Sequence, residues 1–404
     1  MKRITFITTG QPSSNPRLVK EVETLIKAGY HVKVIYCFYH TWAEKFDQEF
    51  IDSNPEVYIC CGGDPQNSQV EYLVSRLRQK LFNLFLRLTK RFGVAENAIN
   101  RTHSKVLSRA KGIESDLYIA HNLGALPAAV CAAKYNNAKV GYDAEDMHSG
   151  QFEQMTEQYY LNRYIEEKYF SQTDYFTAAS PLIAKNYKRL YDYLKPEVIN
   201  NVFPKVNLSA TRIREHNFPI KLFWFSQTIG RNRGLEDVIK SLQAFDKNQF
   251  ELHLLGDINL DERKFLTEGI MTDDININFH SPISPNELLR FTTQFDIGLS
   301  LENKIPLNRD ICLTNKLFSY IQAGLAVVAS DTQAQKLFFE RYPTVGKLYV
   351  KNDQKSLKEI LTYYIENYDD LLTTKQANFI LGQSELNWEK ESEKFLKIIE
   401  QTLS

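Results

Sequence analysis

Residues 295–331 constrain the fold most, because this stretch predicts a strand, a long loop, a helix and a second strand in succession. The first strand is predicted from alternating apolar side chains, at Phe295, Ile297, Leu299 and Leu301. A polar loop is expected from Glu302 to Leu313. A helix then begins near Thr314, an acceptable N-cap, and ends before Gly324, where a left-handed cap is favoured. Residues 325–330 form the next buried strand.

The start of this predicted helix is a candidate anion site. In an open parallel sheet the carboxyl ends of the strands carry the ligand-binding loops, and the helix begins at that edge. The amides of its first turn, the helix dipole and Lys316 would all attract negative charge. We expect the diphosphate of a sugar nucleotide to bind there.

Length and composition favour a two-domain globular protein. A chain of 404 residues exceeds what one core usually supports. Lysine plus arginine equals aspartate plus glutamate, 49 and 49, so no overall field points to nucleic acid. The five cysteines contain no C-x-x-C pair, which argues against a zinc ribbon or a disulfide framework. The sequence predicts neither a signal peptide nor a membrane-spanning run, and a cytoplasmic location is expected.

The chain begins with a predicted β-α-β unit. Residues 3–9 alternate as a strand, and Asn15 with Pro16 has the pattern of an N-cap followed by the first helical residue. A second strand follows at 31–38, so the two strands are expected to be parallel. Gly10, in the connecting loop, would allow a ligand to approach the backbone closely; a tight turn alone would also explain it.

Further strands alternate with helices up to residue 203, which predicts a doubly wound α/β domain. The strand at 116–121 ends in His121. A later strand at 139–143 runs into the acidic sequence DAEDMH, residues 143–148.

One helix in this half, within 68–93, is strongly amphipathic and basic. Its apolar face consists of Leu77, Leu81, Leu84, Phe85 and Leu88, and its cations are Arg76, Arg78, Lys80, Arg87, Lys90 and Arg91. Such a helix can lie on an anionic bilayer, through residues 70–92 here. The alternative is an ordinary surface helix that packs its apolar face on its own domain.

The alternating pattern restarts after a polar, proline-flanked linker at 204–219. The predicted domains are therefore 1–203 and 204–384, with a helix at 385–404 that returns to brace the first domain. Two such halves predict a ligand cleft between them. The loop after the first strand of the second half carries Arg231 and Arg233, whose guanidinium groups suit phosphate oxygens, although either could be a solvated loop charge.

Several motifs together resemble one enzyme family. They are NPRLVKEVETLIKAGYHVKVI, DLYIAHN, FSQTIGRNRGLEDVI, TNKLF followed by YIQAGLAVVASD, and ELNWEK. Their order and spacing resemble the retaining glycosyltransferases of the GT-B fold, family 4, which serve bacterial polysaccharide and lipopolysaccharide synthesis. The resemblance implies two Rossmann-like, doubly wound α/β domains that face each other across a cleft.

The resemblance also implies roles for individual residues. The implied catalytic residues are His121, Arg233 and Lys316. The implied donor-binding residues are Gly10, Gly230, Arg231, Glu302, Thr314, Asn315 and Lys316. Asn15 and Glu145 are assigned to the acceptor, Glu145 through the acceptor's hydroxyl groups.

The chain departs from the family pattern at three positions. Gln227 stands where an arginine is common, and Arg231 could substitute for it. The two family glutamates, eight residues apart, fall on Ile311 and Ser319. The second one commonly binds ribose hydroxyls, and Glu302 is a candidate replacement.

The expected chemistry is stabilisation of the charge that grows on a departing diphosphate. No cofactor or metal is expected, because GT-B enzymes generally work without one. The DAEDMH cluster, with Asp143, Glu145, Asp146 and His148, is the alternative metal site.

The predicted function is transfer of a sugar from a nucleotide sugar to a glycan or lipid-linked saccharide, with retention and without a metal. Two alternatives remain: a sugar-nucleotide epimerase of the same fold, and a non-catalytic sugar-nucleotide-binding partner, suggested by Ile311 and Ser319. Binding to the inner face of the cell membrane is a further expectation from residues 70–92.

Overall fold

The computed structural model describes residues 1–206, 218–267 and 275–404. The chain divides into two compact units. The first contains residues 1–200, 306–308 and 392–404, and the second contains 201–305 and 309–391. Most of the predicted linker, residues 207–217, lies outside the described residues.

The described part of the first unit contains a parallel sheet. Its strands are β1 (Arg3–Thr8), β2 (His31–Cys37), β3 (Tyr58–Cys61), β4 (Leu117–His121), β5 (Lys139–Ala144), β6 (Tyr175–Ala178) and β7 (Glu197–Val198). The strand order is β3-β2-β1-β4-β5-β6-β7. The order reverses between β1 and β4, which is the switch point where ligands bind in open α/β sheets.

Helices connect these strands. They are α1 (Pro16–Lys27), α2 (Thr41–Ser53), α3 (Gln69–Thr89), α4 (Ala95–Ile99), α5 (His103–Lys111), α6 (Leu126–Asn136), α7 (Glu157–Tyr169) and α8 (Pro181–Leu190). Helix α1 begins as predicted: Asn15 is its N-cap, and the side chain of Asn15 accepts a hydrogen bond from the Leu18 amide at 3.0 Å.

The described part of the second unit contains another parallel sheet. Its strands are β8 (Ile220–Thr228), β9 (Phe250–Asp257), β10 (Asn276–His280), β11 (Ile297–Ser300), β12 (Ala326–Ser330) and β13 (Gly346–Tyr349). The strand order is β10-β9-β8-β11-β12-β13, so the switch point lies between β8 and β11.

The remaining helices follow in chain order. They are α9 (Leu235–Leu242), α10 (Leu260–Thr267), α11 (Pro285–Thr292), α12 (Leu307–Ile311), α13 (Asn315–Gln322), α14 (Gln333–Arg341), α15 (Gln354–Glu366), α16 (Tyr368–Ser384) and α17 (Trp388–Leu403). Helix α12 corrects the sequence prediction, which treated 302–313 as loop throughout; at five residues it is too short to show helical periodicity.

Burial on both faces explains why the strands β4 and β12 are apolar along most of their length. All five residues of β4 and all five of β12 are buried. A strand that is covered on both sides by helices cannot alternate between apolar and polar side chains. The predicted architecture of two Rossmann-like, doubly wound units is confirmed. Across the described residues, no helix combines the length and apolar character needed to cross a membrane.

Candidate functional site

The switch point of the second sheet carries a cluster of charged side chains. Glu302 follows β11, Arg233 lies in the loop after β8, Arg309 lies on α12, and Lys316 lies in the first turn of α13. We call these four residues the donor cluster, after the donor-binding role that the sequence resemblance predicts for Glu302 and Lys316. Each belongs to the second unit.

The loop that carries Arg233 depends on a glycine. Gly234 has a φ of +84°, in the left-handed region. A Cβ at this position would lie 2.9 Å from the Cβ of Leu301, at the end of β11. Both the backbone angle and the close approach therefore require glycine, which holds the Arg233 loop against the end of β11.

Glu302 organises the donor cluster. Its side chain is 4% exposed, and its two carboxylate oxygens contact different cations: Oε1 is 2.9 Å from Lys316 Nζ, and Oε2 is 3.2 Å from Arg309 Nη1. Burial alone would raise the pKa of Glu302, but the charges and hydrogen bonds of its cationic neighbours outweigh burial and lower it. An ionised Glu302 therefore fixes Lys316 and Arg309 side by side.

Arg233 adds a third cation that Glu302 does not neutralise. Its burial and the repulsion from Arg309 lower the pKa of Arg233, and Glu302 offsets this only in part. Arginine stays protonated despite such a shift. Three cations and one carboxylate leave the donor cluster with a net charge of +2 by that count. An anionic ligand would relieve the repulsion between Arg233 and Arg309.

The N-terminus of α13 joins the donor cluster as the sequence predicts. Thr314 has N-cap backbone angles, but its side chain makes no capping hydrogen bond to the first turn.

Ser319 is fully buried, and its hydroxyl donates to the carbonyl groups of Asn315 and Lys316 at 3.0 and 3.1 Å. Ser319 therefore belongs to the helix interior and is not a replacement for a ribose-binding carboxylate. Ile311, at the other family glutamate position, is also buried.

The structure places Arg231 apart from the donor cluster. Arg231 Nε lies 3.5 Å from Glu262 Oε1, and its guanidinium carbon lies 4.2 Å from the ring centre of Phe265. Both partners belong to α10, so Arg231 anchors its loop to that helix. Gly230, in the same loop, has no left-handed φ, and its nearest neighbour would be Glu262. Donor contact by Arg231 and Gly230 stays a prediction.

The switch point of the first sheet carries a second, deeply buried cluster. The register pairs Thr8 with His121, His121 with Asp143 and Asp143 with Thr177, so these side chains form one row across four strands. Helix α1 contributes Arg17, Lys20 and Glu21, and Glu145 follows β5. We call Arg17, Lys20, Glu21, His121, Asp143 and Glu145 the buried hexad.

Both ring nitrogens of His121 are engaged. Nδ1 lies 2.8 Å from Glu145 Oε1, and Nε2 lies 3.0 Å from Glu21 Oε2. Burial would lower the pKa of His121, but Glu21 and Glu145 raise it to about 10. The ring is therefore an imidazolium at neutral pH that donates to both carboxylates. With no exposed side-chain surface, His121 positions Glu145; its predicted catalytic role stays a prediction.

Arg17 is fully buried and pairs with Asp143. The guanidinium donates to both carboxylate oxygens, one of them at 2.9 Å through Nη2, and also to the Ile199 carbonyl. Burial opposes the charged form of Asp143, but Arg17 and His121 lower the pKa of Asp143. Glu21, His121 and Asp143 lie close enough together to ligate one ion. The guanidinium of Arg17 already holds Asp143, so a cation there would face direct repulsion.

Glu145 is the member of the hexad that reaches the surface, with a quarter of its side chain exposed. Asn15 Nδ2 donates to Glu145 Oε1 at 2.5 Å, and His121 donates to the same oxygen. The predicted acceptor residues, Asn15 and Glu145, are thus brought together. Gly10, in the loop before α1, has no left-handed φ, and a Cβ there would meet Ser14 at 3.4 Å.

Sequence reasoning missed Arg309, Arg17, Lys20 and Glu21. Arg309 lies in the stretch treated as loop, where its charge was the only signal. Arg17 and Glu21 lie four residues apart in the first helix, a spacing that predicts a surface ion pair. Their distance from Asp143 and His121 along the chain hid the buried pairing.

The comparison with protein families gives a match that lies mainly in the second unit. Residues 231–396 match the family model described as "Glycosyl transferase-like". This range contains the whole donor cluster. No curated protein sequence matches the chain.

Solved structures show the same fold over almost the whole length. HepE from Anabaena in complex with UDP has a TM-score of 0.67 at 13% identity, with 99% of this chain and 100% of that chain covered. Sucrose-phosphate synthase from Thermosynechococcus elongatus has a TM-score of 0.67 at 14% identity, covering 99% of each chain. The UDP-GlcNAc 2-epimerase from Neisseria meningitidis, bound to UDP-GlcNAc, has a TM-score of 0.60 at 14% identity, covering 99% and 100%. The GT-B fold and the resemblance to glycosyltransferases are confirmed, while retention and family 4 stay predictions.

Proposed function

We propose that this protein is a glycosyltransferase that moves a sugar from a nucleotide sugar to a glycan or lipid-linked saccharide, with retention and without a metal. The donor cluster carries the proposal. Three cations are arranged around one buried carboxylate at the switch point of a sheet, within a glycosyl transferase-like domain.

The donor diphosphate is proposed to bind between Arg233, Arg309 and Lys316. As the sugar–phosphate bond lengthens, negative charge accumulates on the leaving diphosphate. Cations that are already fixed in place stabilise this charge without reorganising at the moment of reaction. Glu302 holds Lys316 and Arg309 through separate oxygens, so the two cations are positioned before the donor arrives.

We propose uridine diphosphate as the first nucleotide to test. The HepE structure contains UDP, the Neisseria epimerase structure contains UDP-GlcNAc, and both share the fold of this chain. The fold and the ligands of these two structures support uridine as the base.

Glu145 is the proposed contact for an acceptor hydroxyl. It is partly exposed, and His121 and Asn15 both donate to one of its oxygens. A carboxylate oriented in this way accepts a hydrogen bond from a sugar hydroxyl with a defined direction.

The test is titration of UDP with the wild-type protein, Arg309→Gln and a matched control, Arg290→Gln. Arg309 is 43% exposed, so its replacement should not disturb the core. Losing one charge-assisted phosphate contact should weaken UDP binding by roughly tenfold or more. Arg290, on α11, is exposed and outside the donor cluster, and its variant should bind as the wild type does. Equal affinity in all three proteins would refute the donor cluster as the phosphate site.

Arg231→Gln decides the role of the other loop arginine. If Arg231 only anchors the loop to α10, its loss should change UDP affinity much less than the loss of Arg309. An equal or larger effect would mean that Arg231 leaves Glu262 and contacts the donor, as the sequence resemblance implies.

Epimerisation of a sugar nucleotide is the second candidate function, because the Neisseria epimerase shares the fold over the same length. Incubation of the protein with UDP-GlcNAc alone separates the two functions: formation of an epimer without acceptor supports the epimerase. A third outcome, UDP binding without turnover on any acceptor, would favour a binding partner and agree with the buried Ile311 and Ser319.

A further inference from the structure

Helix α3 exposes most of its apolar side chains. They form one face along its length, made of Val70, Leu73, Val74, Leu77, Leu81, Leu84, Phe85 and Leu88, which we call the outer stripe. Each of these side chains is 42–77% exposed, and no residue of α3 is buried. An ordinary surface helix packs such a face on the core.

The opposite face of α3 makes the contacts with the rest of the first unit, and on it polar side chains alternate with the half-buried Tyr72, Phe82 and Leu86. Gln79 Nε2 and Asn83 Nδ2 both donate to the carbonyl of Ala98, at 2.9 and 3.3 Å. Arg101 Nη1 donates to the hydroxyl of Ser75 at 2.7 Å. The sequence alternative in which α3 packs its apolar face on its own domain is therefore wrong for the described residues.

Basic side chains border the outer stripe. Helix α3 has four cations, Arg76, Arg78, Lys80 and Arg87, and one acid, Glu71, so its net charge is +3 while the whole chain is balanced at 49 and 49. At about 100° per residue, Arg78 lies on one side of the stripe and Lys80 and Arg87 lie on the other. Glu71 is already paired with Lys105, and Arg87 contacts Glu157 at 3.4 Å with both side chains exposed.

We propose that α3 docks the protein on the surface of an anionic lipid bilayer. The outer stripe would enter the boundary between headgroups and acyl chains, and the bordering cations would contact lipid phosphates. At 21 residues the helix is about 30 Å long, which is enough for several turns to lie in the interface plane. This docking does not depend on the proposed sugar transfer, because no residue of the donor cluster belongs to α3.

Charge favours a bilayer over a second copy of the chain. A pair of α3 helices packed stripe to stripe would bring two sets of cations together, and the acids beside them, Glu71 and Glu157, already contact Lys105 and Arg87. Like charges at close range oppose such pairing. Anionic headgroups instead match the positive border along its whole length.

Flotation with lipid vesicles at low salt tests the proposal. The wild-type protein should bind phosphatidylcholine vesicles that contain phosphatidylglycerol, and should bind pure phosphatidylcholine vesicles much more weakly. The variant R76Q/R78Q/K80Q/R87Q should lose affinity by roughly 10²- to 10³-fold, since each cation near an anionic surface contributes about fivefold.

Two further variants make the result specific. The control replaces four exposed lysines of the second unit by glutamine, at Lys247, Lys264, Lys355 and Lys358. It has the same change in charge and should retain vesicle binding. Leu77→Ser with Leu81→Ser should weaken binding while keeping its salt dependence; these side chains are 60% and 57% exposed, so folding should not suffer.

Three results would overturn the proposal. The wild-type protein could fail to float with anionic vesicles at low salt. The lysine control could lose as much affinity as the α3 variant. The double serine variant could float like the wild type while changing from dimer to monomer, which would assign the outer stripe to self-association. Absence of UDP binding would refute the donor site and leave the vesicle result standing.

Discussion

Replacing Lys20 by methionine should make the stability of the first unit strongly dependent on pH. Lys20 and His121 are both buried in the hexad, and their pKa values move in opposite directions. Burial and the neighbouring Arg17 lower the pKa of Lys20 from 10.5 to about 7. Burial opposes the charge on His121, but Glu21 and Glu145 raise its pKa from 6.5 to about 10.

The two shifts have opposite effects on stability between about pH 7 and 10. The folded His121 keeps a proton that the unfolded chain has lost, so its contribution is complete below pH 6.5 and disappears as the pH rises through about 10. The folded Lys20 lacks a proton that the unfolded chain still binds, so stability rises with pH over the same range. In the wild-type protein the two effects largely cancel.

Removing Lys20 leaves the His121 effect alone. One proton of difference changes the free energy of unfolding by about 1.4 kcal/mol per pH unit, so a window of about three units gives a loss of about 4 kcal/mol. Methionine has nearly the same volume as lysine, so packing should change little. Total stabilities of about 5–15 kcal/mol make such a loss easy to measure.

Urea unfolding, followed by circular dichroism at several pH values in this window, is the assay. The control is Lys27→Met, which removes an exposed lysine from the same helix and should follow the wild-type curve. Parallel pH profiles for the Lys20 variant and the wild type would refute the opposed protonation of Lys20 and His121.

Two further predictions concern the backbone of the donor cluster and metal dependence. Gly234→Ala should lower the free energy of unfolding by about 1 kcal/mol or more and weaken UDP binding, because the φ of Gly234 is +84° and a Cβ there would lie 2.9 Å from Leu301. The control is Gly230→Ala, which has no left-handed φ and should change stability little. The midpoints of thermal unfolding of the two variants provide the comparison. Chelation by EDTA should leave sugar transfer unchanged, since Arg17 occupies the carboxylate of Asp143; activity lost to EDTA and restored by manganese would contradict this.

Local sequence signals predicted much of the fold. Strand periodicity, the Asn15-Pro16 helix start and Gly324 depend on neighbours within a few residues, and such signals survive in a sequence without tertiary contacts. The β-α-β alternation then determined parallel sheets, because each helix returns the chain to the edge of the sheet at which the previous strand began. The placement of Lys316 at a helix start beside a strand end followed from the same local pattern.

Tertiary structure decided which charges meet. Glu302 forms ion pairs with Arg309 and Lys316, whereas Arg231, two residues from Arg233, pairs with Glu262 on α10. His121 finds a partner in Glu21, 100 residues earlier in the chain. A long charged side chain can reach several partners from one backbone position. Which ion pair forms therefore depends on the burial of the side chain and on the other charges around it.

For helix α3 as well, the sequence determined one property and the tertiary structure determined another. Its sequence by itself determined an apolar face with a basic border, because the positions of side chains on a helix follow from its period. Only the tertiary structure decided which face turns inward. Hydrogen bonds of Gln79 and Asn83 to Ala98, and of Arg101 to Ser75, attach the opposite side of the helix to the unit, and this leaves the outer stripe exposed.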